Sequence, residues 1–324
     1  MSPTSPRLVP VSAILPTRNR APILARFLDS LAAQDTLPEE IVICDASDDT
    51  STQELVKARI PQWRQRFGAG VRLQYLPAMR TGLAPQRNQA VAAATQPLVW
   101  FLDDDIILEV GCLRHLFECI DEDPGVGGVT ATLINEPYHP PGRLTRNLMR
   151  WFENGHARDT YASACVGPGW TFLHDAEVLG ASLMRAEWLG GGCTLYRKSA
   201  LPVPAVPDHF EGGAIGEDLA ASLHVGQRWK MWHVRAARCI HESQGGSHKR
   251  SRIRLADQGL RNRHYIMTRV MGKDTPRDHL DFALMFAFSL MSLLRRPASW
   301  PCVLPNLAGY LLAVWKLIQV PSHV

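Results

Sequence analysis

The sequence predicts an α/β fold built on a mostly parallel sheet, on three observations. Short apolar runs alternate with helically spaced ones over the first hundred residues, polar clusters follow those runs, and one run ends in three consecutive carboxylates. Val11 to Leu15 is an apolar strand that stops at Pro16, and Ala21 to Ala33 carries Ile23, Leu24, Phe27, Leu28 and Leu31 at helical spacing. Glu40 to Cys44 gives a second strand ending in Asp45. Gln53 to Phe67 follows as a helix that Pro61 interrupts, and Val71 to Leu76 is a third strand. Gly82 to Ala94 is a loop leading into a helix of small residues. Pro97 to Leu102 is apolar throughout, as in a strand buried on both faces of a sheet.

Periodicity disappears from Asn135 to Gly169, where Pro, Gly, Arg and aromatic residues dominate; long irregular stretches inside compact proteins are often substrate loops. Regularity returns with Gly191 to Tyr196, then with Glu217 to Gly226 as a helix and Lys230 to Ala236 as a strand. Near the carboxyl end, Phe282 to Leu294 is apolar except for two serines, but its length of about 20 Å falls short of a hydrocarbon core of about 30 Å. Val303 to Val320 is longer, but Pro305, Asn306 and Lys316 make it a poor span. Arg295, Arg296, Trp300 and Trp315 stand where interfacial anchors would, so a helical hairpin lying on a membrane is one expectation. Helices packed on the main domain or on another subunit are the other. The expected division is a flexible N terminus over 1–10, two halves of one α/β domain over 11–134 and 135–270, and apolar helices over 271–324.

Composition narrows the classes. With 324 residues, 46% hydrophobic and 20% charged, the chain can bury a substantial core. Its seven cysteines are scattered without a Cys-x-x-Cys pair, which indicates neither a disulfide framework nor a zinc module and fits a reducing compartment. Met1 to Pro10 lacks the apolar core of an export signal, so a cytoplasmic location is expected. The net charge of +4 is uneven: fifteen Lys/Arg stand against five Asp/Glu between Gln227 and Arg296, a bias that suits an anionic partner. No RNA-recognition signature accompanies it, and no nucleic acid is expected. The first strand is not followed by Gly-x-Gly-x-x-Gly, and no Gly-x-x-x-x-Gly-Lys-Ser/Thr occurs, which argues against a dinucleotide oxidoreductase or a P-loop enzyme.

Ligands of open α/β sheets bind at the carboxyl ends of the strands. Four segments fall there: Pro16 to Arg20, Asp45 to Asp49, Arg80 to Asn88 and Asp103 to Asp105. A rim of both charge signs suits a nucleoside diphosphate, whose base or ribose donates to carboxylates and whose pyrophosphate takes a cation and arginines. Asp103 and Asp105, two apart on a turn, can converge on one hard cation. A solvated turn with an Asp cap is the alternative.

In order and spacing, Ser12-Ala13-Ile14-Leu15-Pro16-Thr17-Arg18-Asn19-Arg20, Ile43-Cys44-Asp45-Ala46-Ser47-Asp48-Asp49-Thr50, Gly82-Leu83-Ala84-Pro85-Gln86-Arg87-Asn88 and Phe101-Leu102-Asp103-Asp104-Asp105 resemble the donor half of family 2 glycosyltransferases. Gly191-Gly192-Cys193-Thr194-Leu195-Tyr196-Arg197 is similar to the family's acceptor-side Gly-Gly segment. Gly216-Glu217-Asp218 resembles its Glu-Asp motif and Ile240-His241-Glu242 its strand-end histidine. The resemblance runs from about Val11 to about Tyr265. It implies a GT-A fold, a Rossmann-like mixed sheet flanked by helices, here with a C-terminal apolar helical extension. It also implies a metal-dependent nucleotide-sugar site and inversion at the anomeric carbon. By position, Pro16, Thr17, Arg20 and Arg87 would bind the nucleotide, with Asp45 accepting from the base, Asp103 near the ribose or metal, and Asp105 the main metal ligand. Arg18 replaces the family's usual aromatic, and Ala46 and Asp48 its usual Gly and Thr, which bears on base preference.

Inverting transfer needs one carboxylate opposite the leaving nucleotide to take the acceptor's proton, and the resemblance assigns Asp218. An acidic residue in a helix's first turn also satisfies the helix dipole, the alternative for Asp218. Glu217 would position the base or the acceptor. His241 completes the cation's coordination or is structural; as a ligand it would favour Mn²⁺ beside Mg²⁺. Lys249, Arg250, Arg252 and Arg254 lie in a Gly/Ser-rich loop that could close over the pyrophosphate, and Arg261-Asn262-Arg263 in a helix supporting that loop. The expected substrates are a nucleoside-diphosphate sugar and a glycan or lipid-linked saccharide acceptor, with peripheral contact at the cytoplasmic membrane face. Asn135 to Trp188 would shape the acceptor site. A nucleotidyltransferase, or a non-enzymatic protein binding nucleotides or anionic surfaces, are the competing readings.

Overall fold

The computed structural model describes residues 5–175, 182–210, 215–243 and 251–319. They form two compact units, one from Met1–His139 and Leu173–Gln244, the other from Pro140–Phe172 and Gly245–Val324. Lys249 and Arg250 lie outside the described residues.

The first unit is a Rossmann-like mixed sheet, nine-stranded among the described residues, with helices on both faces. In chain order it contains β1 (Arg7–Thr17), α1 (Ala21–Ala32), β2 (Thr36–Asp45), α2 (Ser51–Phe67), β3 (Arg72–Pro77), α3 (Leu83–Ala93), β4 (Leu98–Leu102), β5 (Ile106–Leu108), α4 (Cys112–Glu122) and β6 (Val126–Leu133). Past the second unit's insertion, in which α5 (Arg143–Phe152) and the short strands β7 (Cys165–Val166) and β8 (Trp170–Thr171) lie, the sheet resumes with β9 (Leu183–Arg185), β10 (Cys193–Arg197), α6 (Glu217–Gly226) and β11 (Lys230–His241). The strand order is β3-β2-β1-β4-β10-β6-β11-β5, with β9 paired to β11. β10, β5 and β9 run antiparallel to their neighbours and the other pairs are parallel.

Alternation along the strands builds two cores. Val11, Ala13 and Leu15 of β1, Ile41 and Ile43 of β2 and Trp100 and Leu102 of β4 face α1, α2 and α4. Ile14, Val42, Cys44, Val99 and Phe101 point the other way, toward Ala90 of α3 and Val225 of α6. β4 is buried along its whole length, as its unbroken apolar run requires.

Four elements differ from the sequence expectation. β1 continues through Pro16 because its pairing with β4 ends at Ile14; beyond that only the β2 side is bonded, and a proline fits a strand with one free edge. α2 runs through Pro61 without a break, held by buried Val56 and Trp63 on either side of it. β11 extends to His241 after a register shift between Val234 and Arg238, an irregularity that interrupts the alternation a strand is read from. The stretch expected to be irregular contains α5, whose Met149 and Phe152 are buried; its helical spacing is carried chiefly by Arg143, Arg146 and Arg150.

The second unit contains α5, the β7–β8 pair, α7 (Arg252–Tyr265), α8 (Pro276–Leu294) and α9 (Val303–Gln319). Thr275 and Asp278 form a reciprocal capping box at the start of α8. The Trp151 indole of α5 donates to Asp281 of α8 at 2.8 Å, with Arg277 stacked 4.0 Å over its ring. Arg252 and Arg254, expected in a loop, instead form the first turn of α7, where the Ser251 side chain accepts from the Arg254 N–H; Arg261 to Arg263 are helical in α7 as expected. Pro297–Gln319 is long and apolar enough to cross a membrane by length and composition.

Candidate active site

The sheet's topology opens a crevice at the carboxyl ends of β1 and β4, because the chain leaves β1 toward β2 and β3 on one side and returns as β4 on the other. The triple aspartate leaves β4 at this point. The three residues form a turn between β4 and β5, and their carboxylates meet different sets of partners. Asp104 is buried and accepts hydrogen bonds from Thr17 Oγ1 at 2.6 Å and Arg20 Nη1 at 2.9 Å. Burial pushes its carboxyl up to about 6 against the pull of Thr17 and Arg20. Thr17 and Arg20, expected at the nucleotide, are thus engaged with the acidic turn, Arg20 also lying 3.3 Å from Asp105.

Asp103 and Asp105 turn toward His241, and one ligand atom from each of the three lies within 4.8 Å of the others. His241 reaches the site from the end of β11. Its Nε2 is 3.3 Å from Asp105 Oδ1, and its Nδ1 is 2.7 Å from Glu136 Oε1. Its main chain is fixed as well, the Asn135 side chain bonding both the His241 N–H and C=O. Hydrogen bonding to Asp105, with Glu136 adding, pushes His241 up to about 9. Two carboxylates and an imidazole are a donor set that suits Mn²⁺ or Mg²⁺, the nitrogen favouring Mn²⁺. Glu136 stands where a carboxylate orients a ligating histidine.

Next to this candidate cation site lies Arg87, 1% exposed. Its Nη2 donates to Asp103 Oδ1 and to the Gly191 carbonyl, both at 2.8 Å, and its Nη1 to Glu217 Oε1 at 2.7 Å. Arg87 therefore joins the acidic turn to the first residue of α6. Burial, reinforced by the charge of Asp218, pushes the Glu217 carboxyl up to about 8, outweighing the attraction of Arg87. The half-buried Asp218 accepts from the Gly191 N–H at 3.2 Å and from the Leu219 N–H at 2.8 Å. A side chain at position 191 would bring its Cβ within 2.8 Å of Arg87 Nη1 and 3.2 Å of Asp218 Cβ, so glycine is what lets these groups meet.

On the donor side, Asp45 is buried, accepting from the Ser47 N–H at 2.9 Å and from the Tyr75 hydroxyl at 3.0 Å. Pro16 pairs in register with Cys44 beside it. Gln86 Nε2 donates to the carbonyls of Thr17 and Cys44, at 2.9 and 2.8 Å, clamping α3 to the ends of β1 and β2. Arg18 and Asp48, both departures from the resembled pattern, pair with each other at 3.2 Å.

Three residues of this network escape sequence reasoning. Asp104 was visible only as a member of the acidic run, and Gln86 carries no signal beyond its place in the Gly82–Asn88 segment. Glu136 carries none, since its partner lies 105 positions away.

The family model of Glycosyl transferase family 2 matches residues 12–178. An N-acetylglucosaminyl-diphospho-decaprenol L-rhamnosyltransferase of Mycobacterium tuberculosis is 27% identical over 205 residues, 60% of this chain and 62% of the relative. The chain thus spans less than two thirds of that relative's length. A validoxylamine A glucosyltransferase of Streptomyces hygroscopicus subsp. limoneus is 32% identical over 99 residues, 30% of this chain and 20% of the relative. Among solved structures, a mannosyltransferase from Pyrobaculum calidifontis in complex with GDP-Man and Mn²⁺ shares the fold with a TM-score of 0.54 and 16% identity, over 98% of this chain and 88% of the other.

Proposed function

Because the chain belongs to Glycosyl transferase family 2 and is a glycosyltransferase of GT-A fold, we propose that it carries out metal-dependent, inverting transfer of a sugar from a nucleoside diphosphate to a hydroxyl of a glycan or lipid-linked acceptor. The observation that carries the reading is the continuous network from Asp105, His241 and Asp103 through Arg87 to Glu217 and Asp218.

Asp103, Asp105 and His241 would hold Mn²⁺ or Mg²⁺, which when bound supplies positive charge to the departing diphosphate. Glu136 fixes the imidazole so that Nε2 faces the cation. Arg87 sets Asp103 by one guanidinium nitrogen and the start of α6, through Glu217, by the other. Asp218 takes the proton from the acceptor hydroxyl at a carboxylate oxygen as the new bond forms. Glu217 keeps its proton at neutral pH, which limits the negative charge crowded around Arg87. Thr17 and Arg20 hold the acidic turn through Asp104. Pro16 and Asp45 line the nucleotide pocket, with the Arg18–Asp48 pair at its rim in place of an aromatic residue. The Mycobacterium tuberculosis relative, named for a decaprenol-linked saccharide, supports a lipid-linked acceptor.

Incubation with a panel of nucleoside-diphosphate sugars and Mn²⁺ tests the reading. It predicts release of free nucleoside diphosphate and, once an acceptor is found, a product inverted at the anomeric carbon. Formation of a nucleotide sugar from a sugar phosphate, with release of pyrophosphate, would identify a nucleotidyltransferase instead. A product of retained configuration would exclude the single displacement.

A further inference from the structure

The outward side of α9 is the reverse of a solvated helix face. Ahead of the terminal Gln319, its exposed large side chains are Leu304, Leu307, Leu311, Val314, Trp315 and Ile318, all apolar, with Leu304 73% and Ile318 78% exposed. They recur mostly at three- and four-residue steps, the spacing of one helical face. The single charged residue of α9, Lys316, turns the other way, its Nζ 2.7 Å from the buried carboxylate of Asp257 in α7. On that inner side a Cβ at Gly309 would lie 2.5 Å from the Ile253 carbonyl oxygen and 2.6 Å from Ala256 Cβ, so α9 is seated directly on α7. Arg295 and Arg296 are exposed at the end of α8, and Trp300 and Trp315 are 58% and 55% exposed. No acidic residue occurs anywhere from Phe282 to the end of the sequence.

We propose that this face lays α9 flat on a bilayer surface carrying anionic headgroups. The apolar stripe enters the boundary between headgroups and acyl chains, the tryptophans sit at headgroup level, and Arg295 and Arg296 meet lipid phosphates. Anchoring favours lying over crossing. Pro297–Gln319 is long enough to cross, but its last seventeen residues are seated on α7 along one side. A helix fixed to α7 through Gly309 and Lys316 can offer lipid only its outer half. Charge favours lipid over a second copy: a self-paired strip would gather the arginines of both copies with no carboxylate on it to neutralise them. None of these residues belongs to the sugar-transfer site, so the docking stands or falls apart from that reading.

Flotation of the full-length protein with vesicles tests it, using phosphatidylcholine alone and phosphatidylcholine with 30% phosphatidylglycerol, ~30% being a surface charge that attracts basic segments. The protein should float with the anionic vesicles, with a blue shift in tryptophan emission, and be released by alkaline carbonate. The pair Leu311→Glu and Ile318→Glu should weaken binding at least about tenfold while thermal stabilisation by nucleoside diphosphate and Mn²⁺ is kept, since both side chains point away from α7. Arg295→Gln with Arg296→Gln should lower binding to anionic vesicles and leave the weak binding to neutral ones unchanged. Three outcomes overturn the proposal: no flotation with either vesicle, resistance to carbonate as for a spanning helix, or a vesicle-indifferent dimer that Leu311→Glu dissociates.

Discussion

Taking a guanidinium out of water costs several kcal/mol unless opposite charge and hydrogen-bond acceptors close by offset it, and Arg87 has the Asp103 carboxylate at 2.8 Å, the Gly191 carbonyl at 2.8 Å and a carboxyl oxygen of Glu217 at 2.7 Å. The same arrangement gives its neighbours distinct chemistry. Asp218→Asn keeps shape and loses basicity, so the variant should bind donor nearly as the parent does and lose turnover by roughly a hundredfold or more, read by comparing nucleotide affinity with kcat. Glu217 holds its proton up to about 8 in the folded chain, far above the ordinary value of 4.5. Between those values the folded protein binds more protons than the unfolded one, so stability falls as pH rises through the window. Glu217→Gln cannot ionise, and its melting temperature should therefore decline less than the parent's from pH 5 to pH 8, the interval of about 4.5 to 8 that linkage sets; parallel curves would contradict the assignment. Glu136→Gln should weaken Mn²⁺ binding about 10- to 100-fold, measured by titration calorimetry without any substrate.

At the scale of elements, the β10 approach and the start of α6 meet only because position 191 is glycine. Gly191→Ala should push Arg87 or Asp218 aside and lower turnover, with a lower melting temperature as the independent measure; an alanine variant of normal activity and stability would show that the contact is not needed. Most elements were legible because their apolar spacing is undisturbed, as in α1 and β4. What was hidden has identifiable physical causes. Arginines on α5 masked a short helix whose buried side chains are few, and the irregularity in β11 broke the alternation before His241. Arg87 reads as a surface cation of the rim because nothing local shows that two distant carboxylates and the Gly191 carbonyl enclose it. The acidic turn was visible as a cluster, but the inward turn of Asp104 toward Thr17 and Arg20 depends on β1 lying beside β4.

On the scale of the whole molecule, the described residues divide the labour between two units. The first holds every residue of the proposed catalytic network, and the second carries the apolar face of α9. The proposed function requires a divalent cation on Asp103, Asp105 and His241. Release of nucleoside diphosphate from the accepted donor, followed for the parent and for Asp105→Ala with Mn²⁺ present and removed by chelator, measures that requirement. The parent should fall to background in chelator and recover when Mn²⁺ is restored, and Asp105→Ala should stay near background throughout. Full turnover in chelator, or an Asp105→Ala variant as active as the parent, would contradict it.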